Sequence, residues 1–185
     1  MIIILGIGNP EKKYKGTRHN LGKEIIDFLF KEWKKNYNFS SWKKKKFCQI
    51  SEGKMGKRKI ILAKNLTFMN NCGLCAKELV KNRKMEMDNF IVIHDDFDIP
   101  LGKIKVSQNR SSAGHKGIES IIQFLKTKSF TRIRIGIKPS FFVEKPLDEF
   151  VLQRFKKEDL EILEKVKQEV IKILENIFNK NKKLS

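Results

Sequence analysis

The sequence predicts a single α/β domain, on three observations. It opens on a continuous apolar, β-branched-rich run, Met1 to Ile7, of the kind that makes a buried sheet strand. Further short apolar runs alternate with stretches of helical periodicity. The 185 residues show no break in composition and are long enough for one well-buried core. In an open α/β sheet, ligand sites gather at the carboxyl ends of the strands. At the first such end, where Gly6, Gly8 and Pro10 stop the strand, stand Asn9 and, after a short loop, His19 and Asn20. Three side chains able to handle a carbonyl or a proton arrive there together.

The remaining elements follow in order. Leu21, Ile25, Ile26, Phe28, Leu29 and Trp33 recur at spacings of three and four, which predicts an amphipathic helix over about 20–36. Asn20 would cap that helix as readily as act in chemistry. Trp42 followed by Lys43, Lys44, Lys45 and Lys46 is a basic loop with an aromatic, either an RNA contact or a solvated face. Residues 47–52 and 58–64 read as strands joined through a turn region from Gly53 to Gly56. Thr67, Phe68, Met69 and Asn70 then lie between a strand and a helix running from about Gly73 to Lys84. Asn70 therefore sits at a strand-to-helix junction, where capping by Asn70 or Asn71 competes with a chemical role.

Phe90 to Ile93 is a short strand followed at once by His94, Asp95, Asp96, Phe97 and Asp98. A carboxylate at a sheet edge must be paired, so one of these acids should seek an imidazole or a cation. Gly102 to Ser107 is another strand, and QNRSSAGHKG is a basic loop leading into a helix from about Gly117 to Leu125. Such a loop at a helix start is either an anion contact or a mobile linker. The stretch RIRIGI alternates, with Arg132 and Arg134 on one face, solvated or phosphate-facing, and Ile133, Ile135 and Ile137 on the other. PSFFVEKPLDEFVL, with two prolines, reads as a cover over the site rather than regular structure. The chain closes on a helix over about 156–179, whose apolar face includes Leu163, Val166, Val170 and Leu174, and on a basic tail.

Forty Lys and Arg against 21 Asp and Glu give a net charge of +19, which points to a polyanionic partner, nucleic acid first. A lysine-rich solvated surface is the alternative. The opening apolar run has no basic region ahead of it and is too short for a signal core or a membrane span, so a cytoplasmic protein is expected. A reducing compartment would keep Cys48, Cys72 and Cys75 as thiols. Cys72 and Cys75 form one CxxC with no second pair for zinc, and read as small buried helix residues. The His94–Asp95 doublet is similar to that of metal-dependent phosphohydrolases, but those carry theirs on helices. With only His19, His94 and His115 in the chain, no metal or cofactor is expected.

Taken together, GNPEKKYKGTRHNLG, LTFMNNCG, HDDFDIPLGKIKV, SSAGHKGIESI and RIRIGI, in that order, resemble bacterial peptidyl-tRNA hydrolases from residue 1 to about 155. The resemblance implies one domain over 1–185, an α/β/α sandwich around a mixed, mostly parallel sheet, and a monomer. It also implies metal-free hydrolysis of the ester joining a peptide to the 3′ end of tRNA, and so a peptide-bearing tRNA as partner. Matched motif by motif, His19 would be the base that activates water and Asp95 the acid that orients it, with Asn9 and Asn70 binding substrate. Tyr14, Phe68, Met69 and Lys116 would border the peptide, and Arg110, His115, Lys116 and Arg134 would face tRNA. An activated ester needs only a deprotonated water, so neither metal nor covalent intermediate is required. Two positions depart from the family. Lys116 stands where an asparagine is frequent, and Glu11 where glycine is usual. An RNA-binding module without hydrolysis, as found among relatives in organellar splicing, is the competing reading. Such a module has no physical need for His19, Asp95 and Asn70 together.

Overall fold

A computed structural model of the chain describes residues 1–140 and 144–180. In order these are strand β1 (Ile2–Gly6), helix α1 (Leu21–Trp33), β2 (Lys43–Lys44), β3 (Cys48–Met55), β4 (Arg58–Asn65) and α2 (Cys72–Val80). There follow β5 (Phe90–Pro100), β6 (Ile104–Ser107), α3 (Lys116–Leu125), β7 (Thr131–Lys138), α4 (Leu147–Phe150) and α5 (Lys157–Lys180). The strands form one sheet in the order β2-β3-β4-β1-β5-β7-β6. Its centre, β4-β1-β5-β7, is parallel. The flanking pairs β2-β3, β3-β4 and β6-β7 are antiparallel. The mixed sheet agrees with the expectation, with parallel pairing forming its centre rather than its majority.

The continuous hydrophobicity of β1 has a direct cause: it is covered on both faces. Ile2 and Ile4 join a core with α1 and α5 on one side, while Ile3 and Leu5 join a second core with α2 and α3 on the other. This is the layered arrangement that buries one stripe of each helix. The helix α1 lies unusually close to the sheet, because a Cβ on Gly22 would stand 2.3 Å from the Ile93 carbonyl oxygen. Glycine there lets the start of α1, and with it His19, press onto the strand ends.

The structure corrects several expectations. The strand beginning at Phe90 runs on to Pro100 with a register shift against β7 after Asp96, so His94, Asp95 and Asp96 lie within it. The carboxylates of Asp95 and Asp96 have partners, which is what lets a strand carry them inside, while buried His94 bonds through Nδ1 and leaves Nε2 without one. Arg132 and Arg134 are both engaged within the protein. Arg132 is buried and donates to the carbonyls of Ser111 and Arg110, while Arg134 donates from Nε to Asp96 Oδ2 at 2.7 Å. Cys48 and Cys75, expected as thiols, are joined as a disulfide between β3 and α2, with Cα atoms 5.2 Å apart. Cys72 remains a buried thiol, which burial pushes up to about 12. The predicted cover is partly regular, since Leu147–Phe150 form α4. Residues 141–143 of that segment and the basic tail from 181 lie outside the described residues. Among the described residues no helix is long and apolar enough to cross a membrane.

Candidate active site

Two imidazoles, one from each side of the sheet, converge on one carboxylate. His19 sits in a single 3-10 turn, Arg18–Asn20, ahead of α1, and its ring Nδ1 lies 2.9 Å from Asp95 Oδ2. His115 precedes α3, and its Nε2 lies 3.2 Å from Asp95 Oδ1. The tautomers follow from the remaining bonds. His115 Nδ1 accepts from the backbone N–H groups of Gly117 (3.1 Å) and Ile118 (3.3 Å), capping α3. A nitrogen that accepts two such bonds carries no proton, so the ring is neutral and donates its Nε2–H to Asp95. His19 gives its Nδ1–H to the same carboxylate, which leaves Nε2 bare. Burial alone would raise the Asp95 carboxyl. The electrostatic attraction of the two imidazoles, that of His19 first, and then their hydrogen bonds overrule it and hold Asp95 well below the usual carboxylate range.

His94 belongs to the support rather than the chemistry. It is buried, its Nδ1 donates to the Asp95 carbonyl at 2.7 Å, and its ring stands edge-on to His115 with centroids 4.7 Å apart. Burial, followed by the neighbouring His115, pushes its pKa well below the ordinary histidine value and keeps it neutral.

Asn9 is held from several directions. Its Oδ1 accepts from the Met69 backbone N–H at 3.0 Å, which leaves its Nδ2 as the donor facing the cavity that Asn9 lines. Its own N–H donates to Asn20 Oδ1 (2.7 Å), and its carbonyl accepts from Asn20 Nδ2 (3.1 Å) and from Lys23 Nζ (3.1 Å). Asn20 therefore does not cap α1, nor do the side chains of Asn70 or Asn71 make capping bonds at α2. For Asn20 the capping alternative fails because its carboxamide is taken up by the N–H and carbonyl of Asn9, eleven residues away.

These groups open into a cavity of about 950 Å³. Of the residues expected there, Asn9, His19, Asp95, Phe68, Met69, Asn70, His115 and Lys116 line it. Three others do not. Tyr14 is half-buried with Lys13 over its ring, Arg110 is exposed outside the cavity, and Arg134 is spent on Asp96. His115, expected to face tRNA, has both ring nitrogens engaged within the protein. The sequence reading missed Arg18, which donates to the carbonyls of Gln153 (3.2 Å) and Arg154 (2.9 Å) and stacks 4.3 Å above the Phe150 ring. It missed too that Leu147, Val151 and Leu152 join Phe68 and Met69 as the apolar lining of the cavity. The only signal for that part of the lining was the aromatic and aliphatic content of the cover segment.

Among the described residues, His19, Asp95 and His115 form the one group with metal-ligating spacing, their candidate atoms lying within 4.8 Å of one another. Coordination would need the lone pair of His115 Nε2, moving its proton to Nδ1. There it would meet the two N–H groups that Nδ1 now accepts from. The capping bonds thus oppose a metal at this group, and a carboxylate between two N–H donors accounts for it.

A family model described as peptidyl-tRNA hydrolase matches residues 3–185. The peptidyl-tRNA hydrolase of Alkaliphilus oremlandii is 44% identical over 161 residues, covering 86% of this chain and 83% of that protein. That of Mycoplasma mycoides subsp. mycoides is 39% identical over 163 residues, covering 88% and 85%. Among solved structures, the crystal structure of peptidyl-tRNA hydrolase from Acinetobacter baumannii shares the fold with a TM-score of 0.80 at 22% identity, over 91% of this chain and 83% of that one. By the reach of the family model and the identity to these relatives, the chain belongs to the peptidyl-tRNA hydrolase family.

Proposed function

We propose that this enzyme hydrolyses the ester between a peptide and the 3′ end of tRNA without a metal, using His19 as general base. The observation that carries the reading is the bare Nε2 of His19, on a ring whose Nδ1–H is anchored to a buried, ionised Asp95 at the floor of the cavity. His19 takes a proton from water as the water attacks the ester carbonyl. Asp95 stabilises the imidazolium that forms, and His115 holds Asp95 from its other oxygen. Asn9 Nδ2 donates to the developing oxyanion, a contribution of about 3 kcal/mol for a well-placed donor. As the tetrahedral intermediate collapses, the imidazolium returns its proton to the departing ribose hydroxyl, giving free peptide and free tRNA.

The apolar lining from Phe68, Met69, Leu147 and Leu152 suits a peptide chain, and exposed Asn70 offers it a donor and an acceptor. Exposed Lys116 at the cavity and exposed Arg110 in the loop leading to it are cations that would meet tRNA phosphates. The catalytic groups all come from one chain, in keeping with a monomer, and a substrate released from ribosomes makes the cytoplasm the expected compartment. The test is release of the blocked amino acid from an N-acetyl-aminoacyl-tRNA in excess chelator. Wild type should turn over, and His19→Ala should lose about a thousandfold in kcat while tRNA affinity stays within a few-fold. No release by wild type with tRNA still bound would favour the RNA-binding module, and loss of activity in chelator would favour a metal enzyme.

A further inference from the structure

Beyond Gly6 the β1 ladder is nearly spent: the last backbone bond runs from Ile7 N–H to the Ile93 carbonyl. Gly8 would then bury an unpaired N–H and an unpaired carbonyl. Asn65, the last residue of β4 and fully buried, supplies both partners. Its Oδ1 accepts from Gly8 N–H at 3.0 Å, and its Nδ2 donates to the Gly8 carbonyl at 2.8 Å. A carboxamide thus continues the sheet where the backbone can no longer do so. The next residue, Asn9, is held in the same manner by Asn20. Two successive residues are each gripped at N–H and carbonyl by an asparagine side chain.

Asn65 does more than satisfy Gly8. The second hydrogen of its Nδ2 goes to the Thr67 carbonyl at 2.6 Å, at the head of the loop that carries Phe68, Met69 and Asn70. From the other side, the Met69 N–H of that loop donates to Asn9 Oδ1. Asn65, Gly8, Asn9, Met69 and Thr67 therefore close a ring of hydrogen bonds and covalent links. The ring ties the oxyanion donor to the peptide-binding wall. Asn9, Phe68, Met69 and Asn70 line the cavity, whereas Asn65 and Thr67 do not.

We propose that Asn65 is a positioning residue for the reaction. It sets the aim of Asn9 Nδ2 relative to the Phe68–Asn70 wall and acts on turnover rather than on substrate binding. The proposal rests on the reading of Asn9 as the oxyanion donor. A purely structural Asn65 would lower stability and leave the turnover of the folded enzyme alone. A positioning Asn65 works through Asn9, so its effect must vanish once the Asn9 carboxamide is gone.

The experiment uses the whole chain, with N-acetyl-aminoacyl-tRNA as substrate and rates taken per folded molecule. Asn65→Asp is nearly isosteric and keeps an acceptor for Gly8 N–H, but an ionised carboxylate cannot donate to the carbonyls of Gly8 and Thr67. It should lower kcat about tenfold with KM within about twofold. Exchange of the Met69 amide hydrogen should quicken about tenfold, because its acceptor is no longer held. Asn65→Ala, which removes all three bonds, should lose at least as much kcat. In the Asn9→Ala background, Asn65→Asp should cost nothing further. Losses that multiply in the double variant, a loss carried by KM, or unchanged kcat and Met69 exchange would each overturn the proposal. A wild type inactive on this substrate would overturn the hydrolytic reading instead, and Met69 exchange would still decide whether Asn65 holds Asn9.

Discussion

His19 and His115 make the same bond to the same carboxylate from opposite sides of the sheet, yet they are not equivalent. His115 spends its second nitrogen on the first amides of α3, so its ring can only donate to Asp95. His19 leaves its second nitrogen in the cavity. The role of an imidazole here is set less by its acid partner, which the two share, than by what its other nitrogen does. One ring holds the acid in place, and the other is free to move a proton.

Removing the shared partner is the strongest way to break this pairing. Asp95→Asn replaces an acceptor for two N–H groups by a carboxamide that accepts through one atom, and it removes the charge that supports the imidazolium. Steady-state kinetics should show kcat down about a thousandfold or more, and a loss below tenfold would mean that His19 does not depend on Asp95. The next test separates the two rings. His115→Ala should cost about tenfold in kcat and about 1 kcal/mol of stability, because the cap is lost. His115→Asn, which restores a capping acceptor, should recover the stability in urea unfolding but not the rate. Full recovery of both would make His115 a cap alone.

Two smaller effects sharpen the picture at the edges. Lys116→Asn exchanges an exposed cation beside His115 for a neutral amide, and should weaken tRNA binding a few-fold while lowering the salt slope by about one. An unchanged slope would remove Lys116 from the phosphate-facing set. Lys23, which donates to the Asn9 carbonyl, has its pKa lowered to about 8 by burial, aided by Lys64. The charged form is therefore disfavoured in the fold, and the unfolded chain binds the extra proton between about pH 8 and the ordinary lysine value. Stability should rise with pH across that window in wild type relative to Lys23→Met, as followed by urea midpoints. Parallel curves would show that Lys23 does not titrate there. Asp95 carries the same sign in a more acidic window. Its depressed pKa contributes stability above the ordinary aspartate value, lost as pH falls below about 4.

The sequence showed well what depends on periodicity and local order. Ile2 to Leu5 read as a strand buried on both faces, and Leu21, Ile25, Ile26 and Leu29 as the core face of a helix, because hydrophobic spacing reports which side a residue turns inward. It hid what depends on partners remote in the chain. Alternation put Arg132 and Arg134 on one face, but not that the 110–111 loop and Asp96 would cover that face. Asn20 stood where caps stand, and only the folded chain shows its carboxamide matched to the Asn9 peptide. Cys48 and Cys75, 27 residues apart, became neighbours only once α2 lay against β3. The site residues were legible in another way, through motif resemblance, which pointed to His19, Asp95, Asn9, Asn70 and His115, all in the cavity lining, and to Tyr14 and Arg134, which lie outside it.

Arg18 holds the carbonyls of Gln153 and Arg154, and the backbone N–H of His19 is bonded to the Val151 carbonyl. The wall of the cavity at Val151 and Leu152 and the turn that bears the base are in this way one mechanical piece. An outward swing of this wall would pull on the turn that carries His19, so under the proposed mechanism widening the cavity on this side strains the His19–Asp95 contact. Under that mechanism a bulky peptide would instead be met by the exposed side chains of the lining, Phe68 and Leu147 among them.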